Sequence, residues 1–318
     1  MSRETPEVSV ICSQVIAEVE RAIVGKHHLL QQTMAAILAG GHILLEDLPG
    51  LGKTILSKSL ATALGLNFKR IQFTPDLLPS DITGSYIFDR SKNQFELRKG
   101  PIFANIILAD EINRASPKTQ SALLEAMQEF QVTLEGETMP LQEPFIVIAT
   151  QNPIEYEGTF PLPEAQLDRF LVKLRVGYPS MKDEQEILKR RKERQRDEVA
   201  IQRVSDAETL LAIRQTVEEV HVEKDIEKYI VQLVNSTRSD KRVLVGASPR
   251  GSLALLKLAR AQAALDGRNY VIPDDVKDYF NPALVHRLIL EPEYWMKQRA
   301  AEDILYNLLK SIPVPVIE

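Results

Sequence analysis

Two short stretches of this sequence carry residue types that together can bind a nucleoside triphosphate and activate water against it. The first stretch, residues 47–54, reads DLPGLGKT. Its glycines let backbone N–H groups approach phosphates, and a helix starting after it favours anions at its N-terminus. In this pattern Lys53 reaches the terminal phosphates and the Thr54 hydroxyl ligates Mg²⁺. The predicted nucleotide-contacting residues of this stretch are Pro49, Gly50, Leu51, Gly52, Lys53, Thr54 and Ile55.

The first position of this loop departs from the usual pattern, which opens with glycine. The residue here is Asp47, whereas Gly50 and Gly52 are retained, so the loop can still fold. A carboxylate beside phosphates is repelled by their charge. We therefore expect Asp47 to point its side chain away from the phosphates.

The second stretch is an apolar run that ends in two carboxylates, residues 106–111. It predicts a buried strand with Asp110 and Glu111 at its carboxyl edge. We expect Asp110 to hold Mg²⁺ through water and Glu111 to polarise the attacking water. Adjacent residues of a strand point to opposite faces, so the backbone must leave the pleat here for both to serve one site. The alternative is an ordinary loop with a solvated strand end, which the order and context of the two stretches disfavour.

The surrounding pattern predicts the elements that position these residues. Apolar runs alternate with helical patterns, as in a parallel sheet flanked by helices. Strands are predicted at 42–45, 67–73, 106–111, 145–150 and 171–176, hairpins at 85–97 and 131–139, and helices at 8–24, 28–38, 55–64, 77–82 and 116–129. A further helix, opened by residues 161–163, is expected to carry Asp168, Arg169 and Phe170.

The second part of the chain reads as almost entirely helical. We place the domain boundary near residues 178–180, which gives domains at 1–178 and 179–318. Residues 183–196 form a charged helix with solvated faces, and residues 205–208 read as a capping box. Later helices start at Ser248 and near Pro273, and a last one covers 302–309.

Composition limits the class of protein. The chain has 318 residues, 44% hydrophobic and 26% charged, which is ordinary for a globular protein of two domains. A net charge of -5 does not favour a general nucleic-acid-binding surface. Its one cysteine, Cys12, excludes an internal disulfide, and no apolar run approaches the 18 residues of a membrane span. The N-terminus lacks a signal-peptide pattern, so we expect a cytoplasmic protein.

Longer motifs surround the second stretch and the fourth predicted core strand. Residues 110–127 read DEINRASPKTQSALLEAM, and residues 150–170 contain TQNP followed by EGTFPLPEAQLDRF. These motifs closely resemble the signature of MoxR-type AAA+ ATPases, and the resemblance covers nearly the whole chain. It implies an α/β P-loop AAA+ nucleotide-binding domain with a parallel five-stranded sheet, followed by an all-helical lid domain.

The resemblance also implies roles for residues outside the two stretches. Asn152 is similar to the sensor 1 residue that positions the attacking water, with a plain turn residue as the alternative. Arg169 is similar to the arginine finger that reaches the neighbouring subunit's nucleotide, with a surface ion pair to Asp168 as the alternative. Arg250 resembles the sensor 2 arginine of the lid, where a phosphate would offset the unfavourable helix dipole. The adenine-side wall implied by the family is Ile23, Val24 and Gly25.

The same resemblance implies a homo-hexameric ring that binds ATP and Mg²⁺. The segment 85–97 is similar to the helix-2 insert and the segment 131–141 to the hairpin before sensor 1, which in related rings face a pore. Their tips are mixed in charge, which favours a protein client over a polyphosphate backbone, although solvated turns are the plainer alternative. The family implies chaperone-like remodelling or metal insertion, often with a von Willebrand factor A domain partner.

Four other functions are alternatives to a MoxR-type ATPase. A magnesium-chelatase-like motor subunit is the nearest alternative. A DNA helicase-type AAA+ ATPase would need a basic pore. A GTPase would need a base-reading Asn-Lys-x-Asp stretch, which the sequence lacks, and a non-hydrolysing scaffold would have lost Glu111.

Overall fold

The computed structural model describes residues 4–48, 50–152, 158–295, 297 and 299–315. The first part of the chain folds around a five-stranded parallel sheet, and the second part is helical. The elements of the first part are α1 (Thr5–Glu20), α2 (His27–Leu38), β1 (His42–Glu46), α3 (Lys53–Ala63), β2 (Phe68–Gln72), α4 (Pro79–Thr83), β3 (Gly84–Asp89), β4 (Gln94–Lys99), β5 (Ile106–Asp110), α5 (Pro117–Glu129), β6 (Gln131–Leu134), β7 (Glu137–Pro140), β8 (Ile146–Gln151), α6 (Glu164–Leu167) and β9 (Phe170–Leu174).

The helical lid follows β9 and carries only two short strands among its described residues. Its elements are α7 (Met181–Arg194), α8 (Ala207–Glu219), α9 (Lys224–Ser239), β10 (Val243–Val245), α10 (Pro249–Leu265), α11 (Pro273–Leu284), β11 (Ile289–Leu290) and α12 (Ala300–Ser311). A 3₁₀ turn, Val285–Arg287, follows α11 directly. The expected fold, a parallel five-stranded sheet followed by a helical lid, is confirmed.

The strand order of the main sheet is β2-β5-β8-β1-β9, and every neighbouring pair is parallel. β5 is buried along its length and β8 nearly so, which accounts for the continuous apolar runs seen in the sequence. Because parallel strands end at the same edge, the loop after β1, the acidic pair after β5 and Asn152 after β8 meet there.

The two predicted hairpins form as β3–β4 and β6–β7. A hydrogen bond connects the two hairpins: the Tyr86 hydroxyl donates to Glu137 Oε2 at 2.7 Å. Phe88 and Phe95 face each other across β3–β4 and remain exposed, with ring centroids 5.3 Å apart. The hairpins therefore project as one connected structure from the sheet.

The lid and the N-terminal helices pack against each other rather than standing apart. α10 packs on α1 and α2, and α11 packs on β9. One apolar cluster runs continuously through both parts of the chain and includes Cys12, whose thiol pKa burial raises to about 12. Within the described residues no helix has the length and apolar character needed to cross a bilayer.

Two local predictions were wrong. The helix expected to carry residues 168–170 ends at Leu167, because Asp168 caps it and Phe170 already belongs to β9. The capping box expected at residues 205–208 does not form. Asp206 caps α8 instead, accepting from the Thr209 amide at 2.9 Å, since aspartate caps a helix as well as serine.

Candidate active site

The loop between β1 and α3 has the backbone shape that a phosphate cradle requires. Gly50 and Gly52 both adopt φ +82, a conformation that favours glycine. α3 begins at Lys53 immediately after Gly52, so its N-terminal amides point into the loop. Pro49, which we also expected here, lies outside the described residues.

The carboxylate of Asp47 is held by backbone amides of its own chain. Its Oδ2 accepts from the Gly177 amide at 2.5 Å, and its Oδ1 accepts from the Leu48 amide at 2.9 Å. Gly177 follows β9, the strand next to β1. The departure from glycine thus ties the start of the loop to the end of the neighbouring strand.

Lys53 lies buried at the mouth of this loop. Its ammonium donates to the Asp47 carbonyl oxygen at 2.7 Å. Burial lowers the pKa of Lys53, and the nearby carboxylates of Asp47, Asp110 and Glu111 oppose that shift. A lysine in this setting offers a positive charge that is poorly hydrated and available to an anion.

The acidic pair takes the geometry that serving one site requires. Asp110 ends β5, and Glu111 adopts φ 57, so the backbone leaves the strand between them. Thr150 at the end of β8 links both residues, because its hydroxyl donates to Asp110 Oδ1 at 2.7 Å and accepts from the Glu111 amide at 2.8 Å. The expected departure from the pleat is present.

Further polar partners come from residues that the sequence analysis did not identify. Arg70 donates from Nε and Nη2 to Asp110 Oδ2 at 3.0 and 2.6 Å. Gln72 and Arg114 donate to Glu111 Oε2 at 2.8 and 3.1 Å. Arg70 and Gln72 alternate along β2, and Gln72 is in register with Asp110. Two polar residues on one face of a strand that pairs with the acidic strand are the sequence signal that could have identified Arg70 and Gln72.

A cavity of about 380 Å³ lies at the carboxyl edge of the sheet. Its lining comprises Gly50, Gly52, Lys53, Thr54, Ile55, Arg70, Gln72, Asp110, Glu111 and Asn152. Asn152 is 7% exposed and closes the β8 side. The structure therefore brings together most of the residues predicted for phosphate and metal binding.

A second cavity of about 580 Å³ lies beside it, between the end of α1, α3 and the lid helix α7. Val24 and Ile55 line it, and Ile55 also lines the first cavity. A Cβ at Gly52 would lie 3.7 Å from Ile23, so the segment predicted to face adenine lies close to the loop. A Cβ at Gly25 would lie 2.2 Å from the Asp183 side chain, so α7 packs closely there. Leu51 packs against the main apolar cluster.

The two predicted arginines, Arg169 and Arg250, lie outside the lining of either cavity. Arg169 precedes β9 and, among the described residues, its side chain has no hydrogen bond or ion pair. The expected alternative, a pair with Asp168, does not form. Asp168 instead accepts from Arg287 Nε at 2.7 Å and pairs with Arg250 Nη1 at 3.5 Å. The counter-anion beside Arg250 is therefore a carboxylate of this chain.

The oxygen donors at the cavity fit Mg²⁺. Thr54 and Asp110 offer a hydroxyl and a carboxylate, the ligand types that this hard cation prefers. Over the described ranges no group of three or more His, Cys, Asp or Glu side chains forms a metal cage. A small set of protein oxygens suits a cation that keeps several waters and shares substrate phosphates.

Comparison with known proteins agrees with this geometry. Residues 42–172 match the model of the ATPase family associated with various cellular activities (AAA), and residues 235–308 match the AAA lid domain. The first match contains every element that builds the phosphate cavity. The second contains Arg250 and Arg287.

Full-length relatives are similar over nearly the whole chain. The YeaC protein of Bacillus subtilis (strain 168) is 50% identical over 96% of this chain and 95% of its own length. Chaperone MoxR1 of Mycobacterium tuberculosis is 42% identical over 96% of this chain and 82% of its own. A crystal structure of a presumptive ATPase from Cytophaga hutchinsonii superposes with a TM-score of 0.91 at 41% identity, covering 98% of this chain and 97% of that one.

Proposed function

The chain belongs to the MoxR family of AAA+ ATPases, and on that premise we propose that it hydrolyses ATP to drive chaperone-like remodelling of protein complexes or to assist metal-cofactor insertion. One observation carries the proposal. Lys53, Thr54, Asp110, Glu111 and Asn152 converge on one cavity although they come from three separate segments of the chain.

In this proposal the loop binds the phosphates. The amides after Gly50 and Gly52 and the Lys53 ammonium neutralise phosphate charge, and the base occupies the neighbouring cavity beside Val24 and Ile55. Thr54 and Asp110 would hold Mg²⁺, which would neutralise charge on the phosphate oxygens. The 580 Å³ of the second cavity is ample for a purine.

The hydrolytic step is assigned to Glu111 and Asn152. Glu111 orients and polarises water, and Gln72 and Arg114 hold its carboxylate by donating to Oε2. Asn152, buried at the end of β8, positions that water from the other side. Thr150 links the Asp110 carboxylate to the Glu111 backbone amide and so holds the two residues beside each other.

We assign Arg169 and Arg250 to the nucleotide of a neighbouring subunit. Neither residue is among the described residues that line the phosphate cavity of its own subunit. Arg250 pairs with Asp168, the residue directly before Arg169, at 3.5 Å. Such arginines neutralise charge that develops on the transferred phosphoryl group, an effect of about 10³–10⁵ in rate in other NTPases. This arrangement requires a ring, for which we propose six copies.

The client is proposed to be a protein. The joined hairpins carry an exposed aromatic pair, Phe88 and Phe95, next to mixed charges at the β3–β4 tip. An aromatic pair binds apolar side chains more readily than it binds a phosphate backbone. The name of the Mycobacterium relative, a chaperone, points in the same direction. We propose a von Willebrand factor A domain protein as the partner. We also propose that the boundary between the two domains lies near residue 178.

The test is the ATPase rate per subunit, in Mg²⁺, as a function of protein concentration. We expect the rate to rise with concentration for the wild type and to collapse in Arg169→Ala, while the exposed control Arg196→Ala behaves as wild type. A rate independent of concentration and unchanged in Arg169→Ala would contradict the shared site. Salt-dependent DNA binding near physiological ionic strength would instead favour the helicase alternative. Capture of a porphyrin-metal-insertion partner would favour the chelatase alternative.

A further inference from the structure

We propose that Arg287, a lid residue, is a positioning residue that fixes the backbone on both sides of Arg169 and so couples the lid to the arginine finger. The inference rests on the proposed role of Arg169 and concerns how that residue is held. Arg287 lies in the 3₁₀ turn after α11, more than a hundred residues away in sequence from the segment that it contacts.

The contacts of Arg287 surround Arg169 without touching its side chain. Its Nε donates to Asp168 Oδ1 at 2.7 Å, directly before the finger. Its Nη2 donates to the Phe170 carbonyl oxygen at 2.9 Å, directly after the finger, and to the Asp168 carbonyl at 3.4 Å. Nη1 donates to the Leu171 carbonyl at 3.2 Å and also to that of Ala283.

His286 adds a second contact to the same segment. Its Nε2 donates to the Phe170 carbonyl at 2.9 Å, so that oxygen accepts from both neighbouring lid residues. Burial is the main cause that lowers the pKa of His286 well below its ordinary value, which keeps the ring neutral with its proton on Nε2. The backbone around Arg169 is therefore anchored by two adjacent side chains of one turn.

The ion pair between Arg287 and Asp168 is largely buried, so its geometry is restricted. The Arg287 side chain is 4% exposed and that of Asp168 is 22% exposed. Burial lowers the pKa of Arg287, and the Asp168 carboxylate opposes this shift. A planar guanidinium with fixed donors holds its acceptors in one geometry, which a flexible lysine ammonium cannot reproduce.

The elements that carry these contacts connect movement of the lid to the backbone of Arg169. Arg287 follows α11, which packs on β9, and Arg250 at the start of α10 adds a weaker pair to Asp168 at 3.5 Å. Both lid arginines therefore meet the carboxylate next to the finger. A change in the angle of the lid would move the Arg169 backbone directly, in the same subunit.

The test is a double-substitution comparison with Arg287→Lys, Arg169→Ala and the combined variant. We expect Arg287→Lys to bind a fluorescent ATP analogue within about twofold of wild type but to lower kcat about tenfold or more, as small misplacements of catalytic groups do. We expect no further fall in kcat when Arg287→Lys is added to Arg169→Ala, because residues that act as a unit are not additive. The control is Arg268→Lys, which alters another lid arginine paired with a buried carboxylate, Asp275.

Asp168→Glu serves as a second variant, since it keeps the charge but displaces it by one methylene. The same kcat loss is expected, again without effect in the Arg169→Ala background. The inference is overturned if the kcat losses multiply, or if folded Arg287→Lys and Asp168→Glu retain full kcat while Arg169→Ala does not. If Arg169→Ala alone keeps full kcat, the proposed finger itself fails, and the inference falls with it.

Discussion

The Arg70 guanidinium binds the Asp110 carboxylate, the group that we propose as a ligand of Mg²⁺. Both its Nε and Nη2 donate to Asp110 Oδ2, at 3.0 and 2.6 Å, while Thr150 holds Oδ1. The Asp110 side chain is only 13% exposed, so a cation of the chain compensates its charge in this structure. A divalent cation that binds there has to compete with Arg70.

Arg70→Met is therefore expected to lower the Mg²⁺ concentration needed for binding of an ATP analogue. Removing a half-exposed competing cation lowers the Mg²⁺ concentration that half-saturates binding of a fluorescent ATP analogue, by about three- to tenfold. Lys69→Met, one residue earlier on the opposite face of β2, is the matched control. An unchanged or increased Mg²⁺ requirement in Arg70→Met would contradict the competition.

Lys53→Ala is expected to abolish detectable binding of ATP. Losing one partner of a buried charge pair costs about 2–5 kcal/mol, which corresponds to about 30-fold or more in affinity. The measurement is calorimetric titration with ATP and Mg²⁺. The exposed Lys257→Ala on α10, outside the lining of both cavities, should bind as wild type. Tight binding that persists in Lys53→Ala would remove the phosphate-loop assignment.

Glu111→Gln is expected to separate binding from turnover. The amide keeps the size of the side chain, so ATP still binds, but loss of the water-activating carboxylate lowers the single-turnover rate by about 10²–10⁴-fold. Glu125→Gln on the exposed face of α5 is the control. If Glu111→Gln hydrolyses ATP at the wild-type rate, the catalytic carboxylate lies elsewhere.

The buried His42 is expected to make the fold sensitive to acid. Burial lowers the pKa of His42 to about 4, and its Nδ1 accepts from the Val147 amide while Nε2 donates to the Met127 carbonyl. Between pH 6.5 and 4 the unfolded chain binds a proton that the folded chain does not. The free energy of unfolding therefore falls as the pH is lowered through this window, by about 3 kcal/mol for this residue.

Urea unfolding at pH 7 and pH 4.5 measures this loss. His42→Asn should be less stable than wild type at pH 7 but should lose less stability on acidification, whereas the exposed His27→Gln should follow the wild type. Equal losses in His42→Asn and wild type would assign the acid sensitivity to other groups, of which His286 is the first to test.

The sequence alone determined the elements and the two motifs, because both depend on local spacing. Apolar runs located the five strands, and the glycines of the loop and the carboxylates after β5 were recognisable from neighbouring residues. Helices predicted to start at Ser116 and Ser248 begin there, with each serine as the N-cap, because a cap depends on residues three or fewer positions away.

Only the tertiary structure decided which side chains meet across the sheet and the lid. The strand order places Arg70 and Thr150 on Asp110 from 40 residues away and ties Asp47 to Gly177. Packing of the lid pairs Asp168 with Arg287 rather than with its neighbour Arg169. Each charged group had several possible partners in the sequence. The choice follows from parallel pairing and from burial, which requires every enclosed charge to find a partner within reach.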